Sequence, residues 1–327
     1  MLIFVKKEYP KSIYKVINMP FVVKKFYAKE KMKLFLFLMR ERGLSQKEAQ
    51  RVISKGRVFV NGEPYVKTGG FIEGEFELVE FEPMTKGLKP IIEEDHFVVF
   101  DKPTGLLVHP QNRHTPYTLI DELRYQYGKK ANITHRIDQE TSGIVLCAKS
   151  KQAEIDIKYL FENRLIQKSY LAFVHGHFKH QMEIDAPLLT TKHRHTNVRN
   201  LVIVDDKGKP SLTSIKPLQY FEDLDMTLVE AKPHTGRQHQ IRVHLFHVKH
   251  PIVGDPVYGQ NMENMLKYFD RALSKEERMK NTKASRLLLH ANSLKFSLYN
   301  KEYYIESKSN FIKDALASIS NVSCETK

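Results

Sequence analysis

Apolar and polar positions change their period several times along the chain, and each change marks an expected element. Residues 1–28 show no clear period and are expected to be an irregular N-terminal extension. From Lys31 to Arg42 the pattern is helical and apolar, and it ends at Gly43, a suitable C-cap because glycine tolerates the left-handed conformation. Ser45-Gln46-Lys47-Glu48 reads as a capping box that opens a second helix. In that helix Ala49, Val52 and Ile53 face inward, while Lys47, Gln50, Arg51 and Ser54 face outward. Val58-Phe59-Val60 is a strand running into Asn61-Gly62, a tight hairpin turn, and Phe76–Val79 closes the small sheet. Met84–Pro90, with Gly87 and Pro90, reads as a linker.

Beyond the linker, Phe97–Phe100 reads as a strand, and Ile144–Ala148 as a buried one because it is short, apolar and partly β-branched. An amphipathic helix buries Ile157, Leu160 and Phe161. In the strand that follows, alternation places Tyr170, Ala172 and Val174 on one face and Leu171 and Phe173 on the other. Thr235 and Gln238 form a second capping box, which predicts a helix with Ile241, Leu245 and Val248 as its buried stripe. Arg242 falls one position off the stripe and is expected to be half-buried at its edge. Pro251–Gly259 and Arg286–Ala291 read as a strand pair with a Gly-Asp turn. Asn261–Ser285 is polar and charged and looks like an insertion on the rim, without identifiable catalytic content.

Composition narrows the class. The 327 residues suffice for two domains, and 52 Lys+Arg against 38 Asp+Glu give a net charge of +14. Such an excess favours a polyanionic partner, nucleic acid before anionic membrane. No run approaches the roughly 18 consecutive apolar residues that a membrane-spanning helix needs. Cys147 falls in a buried strand and Cys324 near the end, so a structural disulfide is not expected and a reducing cytoplasm fits. His239, His244, His247 and His250 crowd one helix, but no Cys or nearby carboxylate completes a ligand set, so no metal is expected. The absence of a Gly-rich dinucleotide fingerprint or phosphate loop argues for no cofactor.

The chemistry concentrates in His135-Arg136-Ile137-Asp138-Gln139-Glu140-Thr141-Ser142-Gly143, which leads into the buried strand and Ala148-Lys149. A carboxylate on a loop anchored by a core strand suits a positioned nucleophile or base, although an anonymous Arg-x-Asp is more often an exposed turn. This segment closely resembles the HRLD-x-x-TSG-x-x-x-x-AK signature of RluA-type pseudouridine synthases, with Ile137 in place of leucine. The resemblance continues through Lys102-Pro103-Thr104-Gly105 to Pro110, Lys168-Ser169-Tyr170, Gly236-Arg237-Gln238-His239-Gln240-Ile241-Arg242, Pro251–Gly259 and Leu287–Ala291. It implies a core with a mixed, largely antiparallel sheet and flanking helices, an α+β fold. It further implies that Asp138 is the catalytic carboxylate, that Arg242 pairs with it, and that Tyr170 lies over the reacting base. Stacking there would contribute about 1–3 kcal/mol. Arg136 would fill the gap left by the extruded base, with His135, Arg237 and His239 also touching RNA.

Residues 29–83 are similar to a small S4-like α/β RNA-binding domain, whose helix-helix-G-x-V-x-V-N-G pattern appears from Gly56 to Gly62. Gln46 and Gly74-Glu75 depart from the usual residues. By that resemblance Lys47, Arg51, Lys55 and Arg57 would contact phosphates. The expected organisation is thus an extension (1–28), an S4-like domain (29–83), a linker (84–90), a catalytic domain (91–308) and a C-terminal tail (309–327). The expected enzyme is a monomeric, cytoplasmic pseudouridine synthase acting on 23S rRNA, with tRNA as the alternative target. A non-catalytic binder of structured RNA and a base-excising glycosylase are the competing readings. Neither charge nor an S4-like module separates the first from an enzyme, and product analysis separates the second.

Overall fold

The computed structural model describes residues 20–112, 114–192 and 199–320. Its contacts divide the chain into two compact units, one of residues 1–86 with 110–125, the other of residues 87–109 with 126–327.

The first unit contains β1 (Phe21–Lys33), α1 (Leu34–Arg42), α2 (Gln46–Ser54), β2 (Val58–Val60), β3 (Glu63–Tyr65) and β4 (Phe71–Phe81), with the strands ordered β1-β4-β2-β3 and all pairs antiparallel. The long strand β1 corrects the expectation for residues 21–28 and that of a helix beginning at Lys31; the rest of the extension, residues 1–19, lies outside the described residues. The inward row of β1 runs through Val22, Lys24, Phe26 and Ala28, and Lys24 hides the period because it bonds Glu80 (3.2 Å) and Glu82 instead of packing as a hydrophobe. The next helix does end at Gly43 (φ 63°), whose N–H reaches Leu38. The box at Ser45 forms, with Ser45 and Glu48 each accepting the other's backbone N–H. Asn61 and Gly62 both take positive φ, as a tight hairpin turn requires. The core beneath is Leu34, Leu38, Ala49, Ile53, Phe76 and neighbours.

The second unit is built on one large sheet. In chain order its elements are β5 (Ile92–Glu93), β6 (Phe97–Lys102), then, after α3 (Leu119–Tyr127) at the boundary of the units, β7 (Asn132–Ile133), β8 (Ser142–Ala148), α4 (Lys151–Glu162), β9 (Gln167–His175), β10 (Met182–Asp185), β11 (Leu188–Lys192) and β12 (Arg199–Val204). There follow β13 (Leu212–Phe221), β14 (Met226–Pro233), α5 (Gln240–His247), α6 (Met262–Phe269), α7 (Lys275–Thr282), β15 (Leu289–Leu298), β16 (Lys301–Glu306) and α8 (Phe311–Ser320). The sheet order is β10-β13-β14-β9-β15-β8-β6-β5, with β16 added to β15 and β7 to β8, while β11 and β12 pair separately. Neighbours are antiparallel except β15 and β8, so the expected mixed, largely antiparallel α+β core is what forms.

Alternation in β9 works as expected: Ala172 and Val174 enter the core shared with Ile241 and Leu245, while Phe173 joins Leu228, Leu288 and Phe311 on the other face. That second cluster corrects the C-terminal tail, because α8 docks Phe311, Ala315 and Ile319 into it. Pro251–Gly259 is not a strand; it is a series of turns in which only Ile252 bridges to Val174. The 261–285 insertion folds into α6 and α7, and Met265 packs beside Val202, Val243 and Tyr258.

Candidate active site

The Asp138 loop is tied down along its whole length. Ahead of the aspartate, Thr134 Oγ1 donates to the Leu146 carbonyl (2.6 Å) and Leu146 N–H donates to His135 Nε2 (2.9 Å). Ile137 packs into the core of β6, β8 and β15. Behind it, the Lys102–Leu106 turn grips the loop: Gly105 N–H and Lys102 Nζ both donate to the Gln139 carbonyl (2.9 and 3.0 Å), and Thr104 Oγ1 donates to that of Glu140 (2.6 Å). Lys102 is fully buried and also donates to the Pro103 and Leu106 carbonyls; burial lowers its pKa to about 7 against the raising influence of Asp138 and Glu140. Further on, Gly143 (φ 108°) lets β15 pass: a Cβ there would lie 2.2 Å from the Ala291 carbonyl oxygen. The Thr-Ser-Gly turn and the Leu-His-Ala segment therefore meet, and Ser142 Oγ bonds His290 Nδ1 at 2.9 Å.

Arg242 reaches the aspartate from α5. Its Nη1 donates to Asp138 Oδ2 at 3.1 Å, so the pairing implied by the resemblance is present. The expected half-burial is corrected: Arg242 is 5% exposed, because α5 is enclosed on more than one side and buries Val243 and His244 as well as Ile241 and Leu245. The helix also begins later than expected. Thr235 does not cap with Gln238; Gln240 Oε1 accepts from Thr235 Oγ1 (2.7 Å) and Arg237 N–H (3.0 Å), and His239 occupies the N-cap at φ 55°.

A buried guanidinium needs an anion, and the nearer one is not Asp138. Asp255, buried in the Gly-Asp turn, accepts from Arg242 Nε and Nη2 at 2.7 and 2.8 Å, and from the N–H groups of Val257 and Tyr258. Tyr258 closes the arrangement with its ring 5.0 Å from the guanidinium and its hydroxyl 2.9 Å from His239 Nδ1. The signal was a Gly-Asp turn followed by Tyr, visible in sequence but not its burial.

Asp138 itself keeps about a quarter of its side chain exposed (27%), and among the described residues its Oδ1 has no protein hydrogen-bond partner. Burial pushes its pKa up, but His239, Arg242 and Lys102 outweigh that and hold it below the ordinary carboxylate range. His239, 3.9 Å away, has its own pKa lowered by burial first and by Arg242 second.

Asp138 opens into a cleft of about 710 Å³ that Tyr170, Arg136, Lys168, Arg237 and His239 also line. Tyr170, partly buried between the two halves of the core, keeps its hydroxyl protonated because burial and the Asp138 charge both raise its pKa. Arg136 is exposed at the mouth, and Arg237 is half-buried with Nε on the Pro210 carbonyl (3.3 Å). His135 also lines the cleft, but it turns inward: it accepts the β8 N–H, lies with its ring 4.5 Å from that of Phe161 at a tilt of 34°, and burial lowers its pKa to about 3. It is built as a strut of the loop. In the first unit Lys47 and Arg51 on α2 and Lys55 at its C-cap are exposed, whereas Arg57 is partly buried over the Phe21 ring at 5.3 Å. Of the two histidines on α5, His247 is exposed and His244 packs inside. His244 is buried with Nδ1 on Thr213 Oγ1 and Nε2 on the Ala186 carbonyl, and among the described residues no cluster suits a metal ion.

An ionised carboxylate with one open oxygen, beside an aromatic ring in a cleft rimmed by cations, is what an enzyme that rearranges an extruded nucleotide requires. Comparison with known proteins defines the class. A family model described as RNA pseudouridylate synthase matches residues 96–247. An uncharacterized RNA pseudouridine synthase of Helicobacter pylori is 38% identical over 290 residues, 88% of this chain and 96% of that protein. Ribosomal large subunit pseudouridine synthase D of Nitrosomonas europaea is 38% identical over 178 residues, 53% of this chain and 50% of that one. Among solved structures, human RNA pseudouridylate synthase domain containing 1 matches 70% of this chain and 86% of its own, at TM-score 0.53 and 26% identity. The chain is an RNA pseudouridine synthase by class. Within that class it belongs to the RluA-type family.

Proposed function

We propose that the protein isomerises specific uridines of 23S ribosomal RNA to pseudouridine, with Asp138 as the catalytic carboxylate. In the reaction the bond from uracil N1 to ribose C1′ breaks, the base turns in place, and C5 joins C1′; C5 then gives up its proton and N1 takes one up, so the change is an isomerisation in which nothing is oxidised. The observation that carries the reading is the Asp138–Arg242 contact (3.1 Å) opening into the cleft that Tyr170 lines. Arg242 keeps the carboxylate ionised through an exchange in which Oδ1 is available as nucleophile or base. Tyr170 offers a ring face to the uracil, and Arg136 at the mouth fills the place of the extruded base. The ribosomal target is supported by the name of the large-subunit relative. The exposed cations of α2 would grip the RNA backbone in the manner of an S4 domain.

No described helix is long and apolar enough to cross a membrane. The test is Asp138→Asn, assayed on ribosomal RNA from cells lacking the gene. Pseudouridine formation should fall by about 10³-fold or more while RNA affinity stays within a few-fold. A mutant that still turns over refutes the role of Asp138. Release of free uracil by the wild type would make the protein a glycosylase, and a missing pseudouridine found only in tRNA would move the target.

A further inference from the structure

The helical insertion, read from sequence as a rim without chemical content, sends one side chain into the back of the site. Arg278 on α7 is only 16% exposed, and its guanidinium meets the Glu140 carboxylate in a two-point contact, Nη1 on Oε1 at 3.0 Å and Nη2 on Oε2. The same Nη2 donates to the Gly254 carbonyl at 2.9 Å. Glu140 lies two residues after Asp138. Gly254 lies immediately before Asp255, the residue that clamps Arg242 onto Asp138.

The contacts close a ring. From Asp138 it passes through Arg242 to Asp255, along one peptide to Gly254, through Arg278 to Glu140, and back to Asp138 along the loop. Each station is stiff. Gly254 sits at φ 80° with a Cβ position that would lie 1.7 Å from the Arg286 carbonyl oxygen, so its turn cannot drift. Its N–H is held by the Thr282 carbonyl at 3.0 Å, at the end of α7 itself. That helix starts from its own capping box, in which Ser274 and Glu277 accept each other's backbone N–H.

We propose that Arg278 is a positioning residue for catalysis: it references the backbone end of Asp138 to the same Gly254-Asp255 turn that references its carboxylate end. It is not among the residues that line the cleft. Two restraints on one carboxylate fix its direction as well as its location, and a displacement near 1 Å at a reacting group costs on the order of 10²-fold in rate. The insertion thus serves turnover, an inference that rests on Asp138 being the catalytic group.

The experiment is single-turnover pseudouridine formation on ribosomal RNA from cells lacking the gene, with enzyme in saturating excess, alongside RNA affinity. Arg278→Met should lower the saturated rate by about 10- to 100-fold and leave affinity within two-fold. Glu140→Gln, milder and nearly isosteric, should lower the same rate, and the double variant should lose no more than the worse single one. Arg278→Lys should restore part of the rate, since it keeps one charged contact but not the fork. The inference is overturned if Glu140→Gln and Arg278→Lys both turn over at the wild-type rate, if the losses multiply in the double variant, or if affinity falls in step with rate. Failure of the wild type to make pseudouridine on this RNA would instead overturn the proposed function, a separate result.

Discussion

On α2 and its C-cap the side chains of Lys47, Arg51 and Lys55 are exposed and, among the described residues, make no salt bridge, whereas in the catalytic unit Lys102, Arg242 and Arg278 are buried or nearly so and each is held by named oxygens. Exposed cations stay solvated and cost little to maintain. They act by releasing counterions from a phosphate chain, a contribution to affinity that does not depend on their exact placement. Buried cations lose their hydration, and a protein keeps them only where fixed geometry offsets that loss. On the proposed function the difference would give grip to one unit and aim to the other, with opposite expectations for what a lost charge does in each.

The largest effect is expected where the geometry is tightest. Arg242→Met leaves the fully buried Asp255 carboxylate without its cation and Asp138 without its partner. Stability should fall by about 3–5 kcal/mol, read as a lowered denaturation midpoint, and activity should be nearly lost. A variant with wild-type midpoint and rate would erase the contrast between the units.

A second effect separates the units by pH. Burial lowers the pKa of His135 to about 3 and of His290 to about 4, both in the catalytic unit. These groups are neutral when folded, while an unfolded chain protonates them below about 6.5. The unfolded state therefore binds more protons in acid, and the stability they support, full above pH 6.5, is lost as pH falls toward 3 to 4. Melting temperature should drop between pH 7 and pH 5. His135→Gln keeps an acceptor for the Leu146 N–H but cannot be protonated, so its drop should be smaller. An equal drop in that variant would remove His135 from the account.

How much of this was legible depended on whether a residue's neighbours in space were also its neighbours in sequence. The Asp138 loop, the Ser45 box and the alternation of β9 are local patterns, and they form as read. Arg242 and Asp255 were both visible as letters, but the burial of that pair is decided by the packing of α5 against β12, Val257 and Tyr258. A single buried stripe was the wrong template for a helix covered on several faces. Lys24 disguised β1 because its inward position is satisfied by Glu80 and Glu82, and α8 could not be foreseen as core because its hydrophobic partners come from β9, β14 and the segment before β15. Arg278 illustrates the same limit most sharply: it bonds a residue 138 positions away.

On α2, Lys47→Gln with Arg51→Gln and Lys55→Gln should weaken RNA binding mainly at low salt. If all three meet phosphates, the slope of log affinity against log salt should shrink by about two to three. The saturated rate and the melting temperature should be those of the wild type. A triple variant with an unchanged slope would mean that this face does not meet the RNA backbone.

Lys168 stands between the two behaviours, and the smallest effect is expected there. It is half-buried in the cleft wall, and among the described residues its Nζ donates to the Thr235 carbonyl alone, at 3.3 Å. Burial first, and Arg164 second, lower its pKa to about 8. If the ammonium contacts a phosphate of the bound RNA, binding favours the protonated form, so affinity should weaken as pH rises through 8. One contact is at stake, which limits the change between pH 7 and pH 9 to about ten-fold or less. Lys168→Met should already show the weaker affinity at pH 7 and have no further fall above it. Lys168→Arg, which cannot lose its proton in this range, should hold its affinity to pH 9. Should the wild-type fall persist undiminished in both variants, the titrating group lies elsewhere, and Lys168 belongs with the buried cations that shape the site without touching the substrate.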